Sequence, residues 1–209
     1  MLFPPKSKRH WSGKVAQKRG DDVEKKVHDL HQQPAFIRAY PGVCLTRRHA
    51  RKVLVKGRMQ YTAEQGPDFG GGGPASVLCP EINRDVGVWC EVEVKFIEAQ
   101  WRKGELVGRL QFDHFTNAEV RILTACSSAG GVAIVLVLVG PAVGVATWCA
   151  VPWHELDLLV KAYRDSLNHL GKKQRDAKGK VVSDVPASVN AAWLLRFKCQ
   201  PIDYLKRSL

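Results

Sequence analysis

The chain lacks the sequence patterns that mark several common classes of small protein. Its six cysteines lie far apart and include no Cys-x-x-Cys pair, so neither a zinc site nor a disulfide framework is expected. No secretory signal is recognisable, and we expect reduced, mostly buried thiols in a cytoplasmic protein. His28, Asp29 and His31 could be imagined as metal ligands, but a solvated helix face is the simpler interpretation.

Acidic residues are absent from residues 1 to 20. Two prolines stand near the start, and the basic residues of this stretch are Lys6, Lys8, Arg9, Lys14, Lys18 and Arg19. This composition predicts a mobile basic arm over residues 1 to about 13. A transit peptide is the alternative, weakened by the low serine content and by the lack of an amphipathic stripe.

The whole chain is basic, with a formal charge of +12 at pH 7 and a pI near 9.6. Such a charge indicates a polyanionic partner, most commonly a nucleic acid, with an acidic membrane surface as the alternative. At 209 residues and 45% hydrophobic content the chain is long enough to bury a core. We therefore predict a single domain over residues 14–209.

Charge is also absent between Ser127 and Pro152, where the longest apolar run lies. A membrane span is one interpretation of this run. The break at Gly140 and Pro141 and the many β-branched residues favour two buried strands instead, over residues 131–139 and 144–151.

A run of four glycines, Gly70 to Gly73, precedes Pro74. No Gly-Lys-Ser/Thr follows it, which excludes a P-loop. We predict a flexible turn beside Asp68, whose lack of side chains would let a nucleic-acid backbone approach closely.

The strand predicted over residues 88–96 alternates between two faces. Trp89, Glu91, Glu93 and Lys95 share one face, while the other face is apolar. The simplest interpretation is that the charged residues form the wet side of an ordinary strand. The alternative is that these charged residues form a metal site together with Asp68. Two carboxylates and a backbone carbonyl suffice to hold Mg²⁺, and Lys95 would supply positive charge to a phosphate.

Helical patterns flank this strand. They predict helices over residues 13–33, which Pro34 ends, over 116–126, and over 153–170. Thr116 and Glu119 have the spacing of a capping box, so Glu119 is interpreted as a cap rather than a catalyst. Residues 36–66 form a basic insertion or projection, either short strands that make a DNA-contacting hairpin or a charged helix over about 47–56. The sequence predicts no role for residues 171–209.

Four motifs in order give the chain a family resemblance. They are Arg19-Gly20-Asp-Asp-Val-Glu24, Pro67-Asp68-Phe69-Gly70-Gly71, Glu93-Val94-Lys95 and Gly130-Gly131-Val-Ala-Ile-Val-Leu. Over residues 14 to 165 the chain thereby resembles the RecU-like Holliday junction resolvases of the PD-(D/E)xK nuclease superfamily. This resemblance implies an α/β fold with a restriction-endonuclease-like core (αβββαβ), a mixed central sheet flanked by helices.

The resemblance also implies roles for individual residues. Glu24, Asp68, Glu93 and Lys95 would be catalytic, and Mg²⁺, or Mn²⁺ as an alternative, would bind Asp68, Glu93 and the backbone carbonyl of Val94. One departure concerns the second helix, where Ala118 and Glu119 stand in the place of the family's His-Gln. The basic residues predicted to bind DNA are Arg19, Arg47, Arg48, Arg51, Lys52, Lys56 and Arg58.

The function implied is a metal-dependent endonuclease that resolves four-way DNA junctions by paired phosphodiester hydrolysis. A two-fold symmetric substrate predicts a homodimer, without a membrane partner, in a bacterial or phage-infected cell. Two alternatives stay open. One is another PD-(D/E)xK nuclease of repair, restriction or replication, and the other is a basic nucleic-acid-binding protein whose acidic cluster is only structural.

Overall fold

The computed structural model describes residues 7–48, 52–55, 58–61, 66–79, 86–103, 105–140, 146–167 and 184–207. Its helices are α1 (Ser7–His31), α2 (Pro34–Ala39), α3 (Ala75–Leu78), α4 (Asn117–Ser128), α5 (Trp153–Asp165) and α6 (Ala191–Leu194). Its strands are β1 (Cys44–Arg47), β2 (Lys52–Val55), β3 (Arg58–Tyr61), β4 (Phe69–Pro74), β5 (Gly87–Glu98), β6 (Gln100–Arg102), β7 (Glu105–Val107), β8 (Arg109–Gln111), β9 (Val132–Gly140), β10 (Thr147–Pro152) and β11 (Ser188–Asn190). Within these ranges no helix is both long and apolar enough to cross a membrane.

A five-stranded sheet with the order β1-β4-β5-β9-β10 forms the centre of the fold. Strands β5 and β9 run parallel, and the other neighbours run antiparallel. Every residue of β9 is buried, as its uninterrupted apolar sequence predicts. The prediction of two strands in this run is confirmed, with β9 and β10 each within a few residues of the expected bounds.

Helices cover both faces of this sheet. Alternate residues of β9, such as Ile134, pack with α1 and α2, while the residues between them, such as Val135, pack with α4, α5 and α6. The α/β prediction of a mixed sheet flanked by helices is therefore confirmed. The capping box of α4 is also present, because Thr116 and Glu119 exchange both hydrogen bonds.

Helix α1 begins at Ser7 rather than near residue 13. Residues 7–13, which we expected in the basic arm, are therefore helical, and residues 1–6 lie outside the described residues. Neither proline nor glycine interrupts residues 7–12, and the Lys and Arg within them favour helix.

The glycine run is a strand of the central sheet, so the prediction of a flexible turn is wrong. Strand β4 lies between β1 and β5, with Gly71 opposite Leu45 on one side and Cys90 on the other. A Cβ atom on Gly71 would lie 1.9 Å from the backbone oxygen of Cys44. The strands approach too closely here for any side chain, and this requirement accounts for glycine.

The basic segment 36–66 is divided between three structures. Residues 34–39 are helical, β1 belongs to the central sheet, and β2 and β3 pair as an antiparallel hairpin with a sheet of its own. The strand alternative is thus confirmed for residues 52–55 and 58–61, and the charged helix is not present in the described part of 47–56. Strand β1, within the same segment, pairs with β4 inside the main sheet.

Helix α5 ends at Asp165, and residues 168–170 of the predicted helix lie outside the described residues, as do residues 171–180. Beyond them, β11 pairs with β8. The chain then ends in α6 and short 3-10 helices over Leu195–Phe197 and Pro201–Arg207.

Candidate active site

Asp68 and Glu93 meet where β4 begins. Phe69 is opposite Val92, so Asp68 stands one step further, beside Glu93. The backbone N–H of Asp68 donates to Oε2 of Glu93 at 3.3 Å, and the N–H of Val94 donates to Oδ2 of Asp68 at 2.9 Å. Two carboxylates that are 25 residues apart in sequence are thus held together by backbone hydrogen bonds.

Lys95 completes this pair from the same strand. Its ammonium group forms an ion pair with Oε1 of Glu93 and lies 3.5 Å from Oε2 of Glu119. The same group lies 5.3 Å from the ring centre of Phe115. Carboxylates on two sides and an aromatic face therefore fix the position of Lys95.

The charged face of β5 is buried rather than wet. Glu91 and Glu93 are only 1% and 2% exposed, because α4 packs over this face of the strand. Glu91, which we interpreted as a flanking surface charge, accepts two hydrogen bonds from Arg48, at 2.5 and 2.7 Å, and one from Nε1 of Trp89 at 2.5 Å. It is therefore a buried structural carboxylate.

Glu24 reaches the cluster from α1. Its Oε2 accepts a 2.6 Å hydrogen bond from Arg47, and its charge helps to raise the pKa of Asp68. All four side chains predicted to be catalytic therefore lie close enough to interact, although they come from α1, from the residue before β4 and from β5.

Glu119 also belongs to the cluster, a role that the cap interpretation missed. Its Oε2 accepts from the backbone N–H of Thr116 at 2.8 Å, as a capping box requires, and the same oxygen pairs with Lys95. One carboxylate thus both caps α4 and neutralises Lys95. The signal in the sequence was its position in the place of the family's glutamine.

The protonation of the two central carboxyl groups is strongly perturbed. Burial raises the pKa of Asp68 to about 7, with further contributions from the charges of Glu24 and Glu119, while the Val94 N–H and Lys95 oppose the change. Burial also raises the pKa of Glu93 well above its usual range, and Lys95 only partly offsets this. Excess negative charge in a poorly hydrated place causes both shifts.

Lys95 keeps its charge. Burial alone would lower the pKa of its ammonium group, but the charges of Glu93 and Glu119 and the hydrogen bond to Glu93 outweigh burial and raise that pKa. A permanent positive charge therefore stands next to the two carboxyl groups.

The charge balance of this cluster suits a divalent cation. Glu24, Asp68, Glu93 and Glu119 supply four negative charges when ionised, and Arg47 and Lys95 supply two positive ones, which leaves two unbalanced. No three His, Cys, Asp or Glu side chains in the described ranges enclose a metal by themselves. Mg²⁺ needs fewer protein ligands, since it keeps several waters, so the expected set of Asp68, Glu93 and the Val94 carbonyl fits its chemistry.

Three of the predicted DNA-binding arginines form internal ion pairs. Arg19 pairs with Glu98 at 2.8 Å, Arg47 with Glu24 and Arg48 with Glu91. Of the other predicted DNA-binding residues, Lys52 and Arg58 lie in the β2–β3 hairpin, while Arg51 and Lys56 lie outside the described residues.

His31, near the end of α1, has a structural role. His31 is 7% exposed, so a solvated helix face is the wrong interpretation for it. Its Nε2 and the Tyr204 hydroxyl share a 2.7 Å hydrogen bond, and burial lowers the pKa of His31 to about 4. Cys79, Cys90, Cys126 and Cys149 are buried, in line with the expectation of mostly buried thiols.

Comparison with known protein families finds no family model that matches the chain, and comparison with curated proteins finds no match either.

Proposed function

We propose that this protein is a metal-dependent DNA endonuclease with a restriction-endonuclease-like core, and that four-way junctions are its substrate. The observation that carries the proposal is the meeting of Asp68, Glu93 and Lys95 at the start of β4, with Glu24 beside them. The sequence motifs alone predict the same residues.

The order of elements supports the same core. Helix α1 is followed by β1, β4 and β5, which pair as neighbours, then by α4 and by β9, which runs parallel to β5. Without the β2–β3 hairpin, the short helices α2 and α3 and the short strands β6, β7 and β8, this is the αβββαβ order that the resemblance implies.

The proposed reaction is an in-line attack of water on a phosphodiester. Asp68, Glu93 and the Val94 carbonyl would hold Mg²⁺, which would polarise the phosphoryl oxygen and stabilise the charge on the attacking and leaving oxygens. Lys95, held by Glu93 and Glu119, adds positive charge where the phosphate becomes more negative. Asp68, with a pKa of about 7, is half ionised near neutral pH and can accept either a proton or a cation.

The choice of substrate rests on the resemblance and on the charge of the chain. A net charge of +12 favours a polyanion, and a four-way junction is two-fold symmetric. A homodimer would present one active site to each of two opposed strands, so paired nicks follow from symmetry.

The test compares a four-way junction with linear duplex, a flap and a single strand in the presence of Mg²⁺. Symmetric nicks in the junction alone are expected. Equal cutting of linear duplex would favour a nuclease of repair, restriction or replication, and no cutting of any of the four would favour the binding-only alternative.

Variants identify the site in the same assay. Asp68→Ala, Glu93→Ala and Lys95→Ala should each abolish cutting while junction binding is largely kept. Asp113→Ala is the matched control, because this aspartate lies near α4 with its side chain 65% exposed. If the three site variants cut like the control, these residues are not the catalytic ones.

A further inference from the structure

An open cavity of about 770 Å³ lies between the first residues of β5 and the second half of α4. Trp89 and Arg121 stand on its lining with several small residues, including Ala125 and Gly131. No acidic residue is present among the described residues that line it. The cavity therefore combines an aromatic ring, an unopposed positive charge and little steric obstruction.

The Trp89 ring is held in place although much of it is in solvent. The residue is 56% exposed, yet its Nε1–H donates to the buried Glu91 at 2.5 Å. Glu91 is in turn held by two hydrogen bonds from Arg48. A large aromatic side chain is normally buried, so a ring that is both anchored and exposed suits a ligand with a flat face.

Strand β4 adds no side chain directly beside the ring. Gly70 is opposite Glu91, and Gly72 is opposite Trp89; opposed residues of an antiparallel pair present their side chains to the same face. Strand β4 thus adds no side chain next to Trp89 at Gly72, whereas the guanidinium of Arg48 covers Gly70.

The cavity lies near the candidate active site. Trp89 precedes Glu93 by four residues on the same face of β5, a separation of about 13 Å along the strand at the usual rise per residue. Arg121 lies two residues after Glu119 on α4. One DNA strand bound at the candidate active site is therefore long enough to reach Trp89 within a few nucleotides.

We infer that Trp89 and Arg121 form a subsite for an unstacked nucleobase of the substrate strand, with the ring stacking on the base and the guanidinium pairing with an adjacent phosphate. The inference rests on the proposed function and specifies its substrate as DNA with an unpaired or splayed strand near the cut. A nucleobase is favoured over an apolar peptide segment because the only charge on the described lining is positive, and the whole chain carries +12.

The experiment measures binding without cleavage. Fluorescein-labelled oligonucleotides are titrated in EDTA and followed by anisotropy, using a single strand, a duplex with an unpaired arm and a blunt duplex of equal length. Trp89→Ala should weaken binding of the first two about tenfold, the usual effect of losing one stacked base, and should leave the blunt duplex almost unchanged. Trp89→Phe should recover most of the affinity.

Leu158→Ala is the matched control, since Leu158 is an exposed apolar residue of α5, 74% accessible, and it should bind like the wild type. Arg121→Gln is a second variant, which remains informative even if Trp89→Ala fails to fold. It should also weaken binding of DNA with an unpaired strand, and the difference in affinity from the wild type should shrink as salt is raised. Equal loss on all three oligonucleotides, or no loss in either variant, would overturn the subsite. So would the absence of any wild-type preference for unpaired DNA.

The outcomes separate this subsite from the proposed function. If the wild type cuts junctions but Trp89→Ala and Arg121→Gln bind every oligonucleotide like the wild type, the subsite is wrong and the nuclease proposal stands. If the binding differences are found and no DNA is cut with Mg²⁺, the nuclease proposal fails and the protein is a binder of unpaired DNA.

Discussion

The N–H of Val94 donates to Oδ2 of Asp68 at 2.9 Å, on the edge of β5 that β4 leaves open before Phe69. In a strand, the N–H and C=O of one residue point to the same edge. The Val94 carbonyl therefore faces the side of Asp68, and three oxygen donors of the proposed metal site border one space.

The stability of the protein without metal should fall as pH rises through neutrality. The carboxyl group of Asp68 has a pKa of 3.8 when unperturbed and about 7 in the folded protein, so between these values the folded state holds a proton that the unfolded state has lost. The corresponding stabilisation is complete below pH 4 and is lost as pH rises through 7. The raised pKa of Glu93 acts in the same direction.

Thermal unfolding in EDTA at pH 5, 6, 7 and 8 measures this effect. Asp68→Asn, which has no proton to lose, should flatten the decline, whereas the exposed Asp113→Asn should leave it as in the wild type. A wild-type melting temperature that does not change between pH 5 and pH 8 would contradict the raised pKa of Asp68.

Divalent cations should reverse the loss of stability that occurs as pH rises. Mg²⁺ or Mn²⁺ competes with protons for the carboxylates, so the rise in melting temperature on adding either cation should be larger at pH 8 than at pH 6. Added EDTA should abolish it. Asp68→Asn and Glu93→Gln should lose most of the rise, and an undiminished rise in both would place the cation elsewhere.

Arg48 should position Asp68 rather than bind DNA. Its backbone N–H donates to the Asp68 carbonyl at 2.7 Å, its guanidinium to the Pro67 carbonyl at 3.2 Å, and both terminal nitrogens to Glu91. Arg48→Ala would leave a buried carboxylate unpaired, at a cost of about 3–5 kcal/mol in the free energy of unfolding. Arg48→Lys keeps the positive charge but loses the bidentate hydrogen bonds to Glu91. Its free energy of unfolding should therefore fall by less than that of Arg48→Ala.

The positioning role predicts a change in metal dependence. The Mg²⁺ concentration that gives half-maximal cutting should rise in Arg48→Lys, while affinity for blunt duplex in EDTA stays the same. The double variant Arg48→Met with Glu91→Gln should recover part of the stability, since no unpaired charge remains. A fall in DNA affinity without a change in metal dependence would instead make Arg48 a DNA contact.

Elements that are determined by residues close together in the sequence could be predicted. Strand β9 follows from an apolar run of its own residues, and the start of α4 follows from Thr116 and Glu119, three positions apart. The motif residues Asp68, Glu93 and Lys95 were also found, because their chemistry and spacing are visible in the chain.

Features that depend on distant partners could not be predicted in this way. Glu91 is indistinguishable by pattern from a solvated strand residue, and its burial depends on Arg48, 43 positions away. Strand β4 was missed because glycine carries no side chain to show an alternation of faces. The second role of Glu119 depends on Lys95, which only the packing of α4 on β5 brings close.

Two glycine substitutions should have opposite effects on stability. In Gly71→Ala the new Cβ would lie 1.9 Å from the backbone oxygen of Cys44, and a paired strand cannot move aside without losing hydrogen bonds. We expect a loss of about 3 kcal/mol or more in the free energy of unfolding. In Gly20→Ala nothing lies within 4 Å of the new atom, and a helix interior should gain about 0.5–1 kcal/mol.

Urea denaturation of both variants beside the wild type measures the difference. Gly71→Ala should also raise the Mg²⁺ requirement for cutting, because β4 sets the position of Asp68 against Glu93. Gly20→Ala should cut normally, since this glycine lies within α1 and contacts no part of the site. Equal stabilities for the two variants would mean that β1 and β4 do not approach each other this closely. Close packing would then not explain the glycines of β4.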